Sequence, residues 1–280
     1  MATKILVVAA IVGAGVLWGV FANRGALAVR LFGPPRVALV EAYGESDSEL
    51  TFNHSTLDEL LNEYVDEDGW VDYQGLSTAQ PQLGRYIESL ASAPFEKLGR
   101  DEKLALLINA YNAFTMQLIL ENLPLKSIQD IPAAKRWDAK RWKLAGELYS
   151  LSEIEHQQIR PNFREPRVHF ALVCAAVGCP PLRNEAYVGE RLEEQLQSQT
   201  EFVHAHRTWV QFEPAASTAK LTELYSWYGS DFEQTDGSVL AFIGKYSSEI
   251  KSALESNTKP SIVWLEYDWS LNSVGEHPPR

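Results

Sequence analysis

An α+β fold is expected of this chain: a mainly helical single domain around a small, largely buried sheet, preceded by an N-terminal apolar helix. Three observations carry that expectation. Most of the longer segments repeat their apolar residues at helical spacing. A few short apolar runs, Val168 to Ala175 and Ile262 to Tyr267 among them, have strand length. Residues 5–22 hold no charge at all. Of the 280 residues, 45% are hydrophobic and 22% charged, with eight Trp, eleven Tyr and eleven Phe. That is ordinary globular composition with ample core material, so stability requires neither a disulfide framework nor a metal.

Ile5 to Ala22 is an uncharged stretch of 18 residues behind Lys4. It reaches the length needed to cross a bilayer as a helix, and its order of basic, apolar and small residues is that of a signal peptide. Val20-Phe21-Ala22 or Ala26-Leu27-Ala28 would serve as a cleavage site. Lys4 on one flank and Arg24, Arg30 and Arg36 on the other give no amino-terminus-in preference. The reading adopted is a signal peptide or signal anchor over residues 1–22. It delivers the domain to the cell envelope, periplasmic or extracytoplasmic, anchored or secreted. Residues 23–50 read as a tether, with Gly33-Pro34-Pro35 followed by Glu45, Asp47 and Glu49. The globular domain is 51–272, and 273–280 is a tail.

The formal net charge is −12, which argues against nucleic acid as a partner. Lys135 to Lys143 interleaves five cations with Trp137 and Trp142 and reads as a solvated loop leading into a strand. The partners left are the membrane, through residues 5–22, and an envelope peptide or small molecule.

Within the domain, Leu57 to Val65 is helical by spacing. Asp66-Glu67-Asp68-Gly69 is a turn, followed by a short strand, Trp70 to Tyr73. The acidic turn is not a calcium loop, because Tyr64 and Gly75 stand where the first Asp and last Glu of that pattern belong. Ala79 to Ala91 is a second helix. Asp101 to Glu121 is a third, stopped before Pro124, and its apolar residues occupy nearly the whole circumference, as in a buried helix. Trp142 to Leu148 is a hairpin turning at Ala145-Gly146. Ser152 and Glu155 have capping-box spacing and open a fourth helix. Val168 to Ala175 is a buried strand. Glu190–His204, Leu221–Tyr228 and Val239–Leu254 are amphipathic helices, and Ile262 to Tyr267 is the closing strand.

The densest chemistry lies between Arg167 and Arg183. This stretch holds both cysteines, Cys174 and Cys179, on the loop leaving a strand, where ligand sites are common. Cys174, with Cys179 second, is the candidate nucleophile if a base lowers its pKa. His169 is a candidate base. On a strand, however, it would lie on the opposite face from Cys174 and roughly 16 Å along the chain, so the two would not pair directly. A structural Cys174–Cys179 disulfide and packing cysteines are the alternatives. C-x4-C lacks the second ligand pair of a structural metal site, and no metal or cofactor is expected.

Asn109 and Asn112, with Tyr111 between them, place amides on one face of the buried helix. They either tie down a loop or line a pocket, Asn112 then acting as an oxyanion donor. His156 is a second candidate base, beside Glu155 in the capping box. Arg160 at i+4 argues against a paired-histidine zinc site. Asp268 is the candidate to orient a histidine, or else a turn-stabilising residue. Arg167 and Arg183 flank the loop as binding residues.

Five segments together resemble the domain-of-unknown-function 547 family over about residues 52–272. They are INAYNAF (Ile108 to Phe114), KSIQDI (Lys126 to Ile131), LSEIEH (Leu151 to His156) with Arg160, HFALVCAAVGCPPLRNEAY (His169 to Tyr187) and YDWSLN (Tyr267 to Asn272). One departure is Val173, where the family pattern would carry Asn. The resemblance implies an exported single-domain bacterial protein and no established activity. A looser similarity to papain-like and transglutaminase-like enzymes lies in a buried central helix, a His-bearing strand and a late Asp.

Two functions are therefore in view. The first is a thiol-dependent hydrolase or acyl transferase acting on an envelope peptide or amide. In it Cys174 is the nucleophile, His169 or His156 the base, Asp268 its orienter and Asn112 the carbonyl-polarising group. The second is a non-catalytic peptide- or anion-binding module, its loop shaped by a Cys174–Cys179 disulfide, with Asn109, Arg167 and Arg183 on the ligand. A redox pair is a third class, although C-x4-C lacks the usual oxidoreductase spacing.

Overall fold

The structure, a computed structural model, describes residues 34–46 and 48–275. The apolar segment 5–22, residues 23–33 and 47 of the tether and the tail beyond 275 lie outside the described residues. The described residues from Val37 onward belong to one compact unit, and every helix and strand described lies in it.

The order begins with α1 (Ser55–Tyr64), α2 (Tyr73–Thr78), α3 (Gln80–Leu90), α4 (Arg100–Leu120) and α5 (Ala133–Arg136). The hairpin strands β1 (Trp142–Leu144) and β2 (Glu147–Tyr149) follow, then α6 (Leu151–Glu153), which continues into a π-helical turn at Ile154–Ile159. After a 3-10 segment at Pro166–Phe170 come α7 (Leu192–Ala205), β3 (Val210–Glu213) and β4 (Thr218–Thr222). The chain closes with α8 (Leu224–Trp227), α9 (Gly229–Asp236), α10 (Val239–Ile243), α11 (Ser248–Glu255) and β5 (Ser261–Leu265).

Helix α4 is the axis of the fold. Of its 21 residues, 18 are buried, because no side of it is polar enough to face water. It is also the one described helix long and apolar enough to cross a membrane, yet protein rather than lipid covers it. Around it gather Leu57, Leu83, Leu98, Leu151 and Ile159, all fully buried. A second core of Phe170, Trp209, Tyr225, Phe232 and Phe242 lies among α7, α9, α10 and the three-stranded sheet. That sheet has the order β3-β4-β5, antiparallel then parallel, with Ala219 opposite Ile262 and Leu221 opposite Trp264.

Several expectations are corrected. The strand expected at Val168 to Ala175 is the 3-10 segment followed by a turn. Its backbone groups find side-chain amides instead of a neighbouring strand, and a buried apolar run then needs no ladder. Trp70 to Tyr73 makes isolated bridges through Val71 alone, since Asp72 turns to cap α2 by accepting from Gly75 N. Leu221 and Thr222 end β4 rather than open a helix. The segment 239–254 breaks into α10 and α11, with Ser247 capping the second.

The capping box belongs to Ser150 and Glu153, not to Ser152 and Glu155. Ser150 Oγ accepts from Glu153 N and Glu153 Oε2 from Ser150 N. Both frames fit the sequence, but only this one starts the helix with the fully buried Leu151. Part of the expected tether is packed: Tyr43 leans on Phe163 at 5.2 Å and Ala42 N donates to Asn162 O. The sheet is not largely buried either, because β5 faces solvent along its length.

Candidate functional site

The loop from Phe170 to Val188 carries the site, and four side-chain amides hold it. Asn112 donates to Ala171 O at 2.9 Å and accepts from Val173 N at 2.9 Å. Asn109 does the same for Tyr187, donating to its carbonyl at 2.7 Å and accepting from its amide at 3.0 Å. From α7, Gln195 bridges Ala186 O and Val188 N, and Gln199 donates to Phe170 O and Pro181 O. Each amide offers one donor and one acceptor edge, so it closes onto irregular backbone as a strand would. Asn112 is therefore a clamp, its carbonyl oxygen and one of its two N–H donors held by the loop backbone, and Asn109 is held in the same way; both are buried. Asn112→Leu keeps the bulk and strands two buried backbone groups. We expect it to cost about 2–3 kcal/mol and to speed hydrogen exchange at the Val173 amide. Denaturant unfolding that shows less than about 1 kcal/mol lost would contradict the clamp.

Cys174 closes this turn. The next residue, Ala175, holds φ +61°, a left-handed conformation costly for a residue with a Cβ. The chain then crosses the 268–272 segment closely, with Val177 N on Ser270 O and Gly178 N on Asp268 O. A Cβ at Gly178 would lie 2.9 Å from the Asp268 nitrogen, so glycine is required there. Both cysteines are free thiols side by side: Cys174 N donates to Cys179 Sγ at 3.1 Å. Cys179 is buried and Cys174 half-buried, its sulfur 3.2 Å from the Tyr267 hydroxyl. The hydrogen bond with Cys179, and after it burial, push the Cys174 thiol well above its ordinary pKa. It is a thiol, not a preformed thiolate, at neutral pH.

Behind the loop lies a buried charged layer. Arg160 grips Asp231 with two hydrogen bonds, at 2.7 and 3.0 Å, and His169 Nε2 donates to the same carboxylate at 3.0 Å. Burial pushes the Asp231 carboxyl up, but the bonds from His169 and Arg160 outweigh it and leave the group well below its ordinary value. Burial lowers the pKa of His169, so its ring is neutral. Tyr228 covers it, stacked at 3.8 Å, with the Arg160 guanidinium 5.0 Å from the same phenol ring. The π-helical turn sets Glu155 and Arg160 on one side, Arg160 N reaching Glu155 O. His156 lies at the edge of this layer, its Nδ1 3.2 Å from Arg160 Nη1 and 3.8 Å from Glu155 Oε1.

On the other side of Cys174 opens a cleft of about 620 Å³ lined by Lys126, Ser127 and residues 266–270. Tyr267 joins it to the thiol. Trp269 packs on Tyr267 at 4.7 Å, on Trp227 at 6.0 Å and on Trp137 at 6.0 Å. The three Trp rings are half-buried beside this opening.

The expected Cys–His–Asp arrangement is not assembled. Asp268 is exposed and accepts from Ser270 N in its own turn, orienting no histidine. His169 serves Asp231, and the Cys174 sulfur meets a tyrosine hydroxyl. Tyr111 is buried in the α4 core, where burial, and after it the charge of nearby Glu155, raises its pKa. Arg167 is committed to Glu165 and Glu193, and Arg183 to Glu185 and Ser198. Neither guanidinium is directed at the cleft. Among the described residues no three His, Cys, Asp or Glu side chains converge on a metal position.

Asp231, Tyr228, Trp227, Gln195 and Gln199 escaped the sequence reading. An acid in the first turn of a helix and glutamines on an amphipathic one are common for local reasons, so nothing in the sequence marked them.

Three comparisons with known proteins place this region. Residues 95–203 match the model of a family described as a protein of unknown function, DUF547. That span contains both cysteines, the clamp residues and His156, but not Asp231 or the 266–270 wall. No curated protein and no solved structure matches the chain.

Proposed function

Since the DUF547 identity of residues 95–203 carries no activity with it, we propose on physical grounds that the domain is a non-catalytic binding module for an extended peptide. The observation behind this is the half-buried cluster of Trp137, Trp227 and Trp269 with Tyr267, beside an open cleft with a polar rim. Large rings left partly wet offer flat apolar faces to prolyl or aromatic side chains, as peptide-recognition grooves do. Lys126, Glu266 and Asp268 at the rim suit the amides and charges of a peptide backbone. The uncharged segment 5–22 supports placing that ligand in the cell envelope.

Titration of the protein with a proline- and aromatic-rich peptide pool, followed by tryptophan fluorescence, tests the reading. Trp269→Ala is expected to weaken binding about 10- to 100-fold, the weight of a central aromatic anchor. Cys174→Ser should leave it unchanged. Equal affinity in Trp269→Ala and the parent would remove the cleft from the account.

One observation favours a second reading, a thiol-dependent hydrolase or acyl transferase on an envelope peptide or amide. Cys174 is half-buried, its sulfur 3.2 Å from the hydroxyl of Tyr267 in the cleft wall, beside a strained turn at Ala175. Turnover of a peptide ester or amide that Cys174→Ser abolishes would establish this reading over pure binding. Its base would have to come from a side chain other than His169, which is occupied.

A further inference from the structure

The outer edge of β5 is unlike the rest of the surface. The strand is the last in its sheet among the described residues. Ile262, Val263 and Trp264 are 36%, 47% and 42% exposed. Residues 261–265 contain no charge and no proline, the devices that ordinarily protect a free edge. Because β5 runs parallel to β4, with Ser261 N on Ser217 O, the backbone groups of Ile262 and Trp264 alternate away from β4. Among the described residues no strand pairs with these donors and acceptors, which point outward along an apolar strip.

We propose that a second copy of this chain covers this edge, adding its own β5 antiparallel with the two-fold axis through Val263. In that register Ile262 faces the partner's Trp264 as a hydrogen-bonded pair, and each residue supplies both its amide and its carbonyl. Every outward group of the strand core is used, and the facing side chains are a β-branched and an aromatic one, a favourable cross-strand pair. Pro260, without an amide hydrogen, ends the ladder on one side. Charge selects the same arrangement. Lys259 and Glu266 bracket the strand, both exposed and in no ion pair among the described residues. Antiparallel pairing brings Lys259 next to the partner's Glu266, whereas parallel pairing would set lysine on lysine. The inference rests on the strand edge and not on Trp137, Trp227, Trp269 or the thiols; Glu266 is the residue it shares with the rim of the cleft.

Disulfide trapping of the full chain in detergent micelles tests it. Val263 sits on the axis in a non-hydrogen-bonded pair, with Cα atoms about 4.5 Å apart, within reach of a disulfide. Mild oxidation of Val263→Cys is expected to give a reducible dimer of twice 31.4 kDa. The exposed Ser252→Cys on α11, off the edge, should give no more than the parent chain. Lys259→Glu should reduce the dimer seen by native mass spectrometry, and Lys259→Glu combined with Glu266→Lys should restore it. Equal trapping at positions 263 and 252 would overturn the proposal, as would no trapping at 263. A double charge reversal as poor as the single one would overturn the antiparallel register.

Discussion

Asp231→Ala is expected to destabilise the domain by about 3–5 kcal/mol, a fall in Tm of roughly 10 °C. Asp231 is 1% exposed and is the shared acceptor for Arg160 and His169. Removing it leaves a guanidinium with 1% side-chain exposure without the carboxylate that accepts two of its hydrogen bonds, and breaking a buried pair in this way costs more than the pair itself contributes. The loss should therefore shrink when the cation is removed too: Arg160→Met with Asp231→Leu should recover much of it. Thermal or urea unfolding measures both. If the double variant is as unstable as Asp231→Ala, the cost lies in packing and the charge argument fails. The triad joins α9, the 3-10 segment and the π-helical turn, so Asp231→Ala should also loosen Tyr228 over His169.

Acidification should destabilise the fold well before its carboxylates titrate. His204 is buried, with Nδ1 2.6 Å from Thr200 O and Nε2 2.6 Å from the Tyr225 hydroxyl. The ring donates from Nδ1 and accepts at Nε2, a neutral tautomer. Burial lowers its pKa from 6.5 to about 4, against the Thr200 hydrogen bond. A depressed folded-state pKa means that the unfolded chain takes up the proton first. The stability contributed by neutral His204 is complete above pH 6.5 and declines as pH falls to about 4, a loss of about 3 kcal/mol. His169, also lowered by burial, adds in the same direction. His54 is lowered to about 4 as well, but the Glu102 carboxylate 3.9 Å from its Nε2 would favour its proton, so His204 is the cleaner reporter. Urea midpoints for the parent and His204→Gln between pH 7.5 and 4 provide the measurement. The parent should lose about 3 kcal/mol more than the variant over that range, and parallel curves would dismiss the histidine as the cause.

The amino-acid sequence by itself determined the helical framework and the buried axis. Apolar residues all around α4 can only be satisfied inside a fold, and the alternating or periodic runs of α1, α3, β1, β2 and β5 are local properties of the chain. It also narrowed the candidate chemistry to polar residues in four stretches, densest around Cys174 and Cys179, because few polar residues interrupt apolar runs elsewhere. The tertiary structure decided what those residues touch. Residues 168–175 are apolar enough for a strand, but Asn112 and Gln199 from two other helices take their backbone groups and make a turn of them. Asp268 and His169 lie in segments that look as though they should meet, yet one is spent on its own turn and the other on Asp231. Hydrogen-bond partners of buried polar groups are chosen by contacts between residues far apart in the chain, and no local spacing encodes that choice.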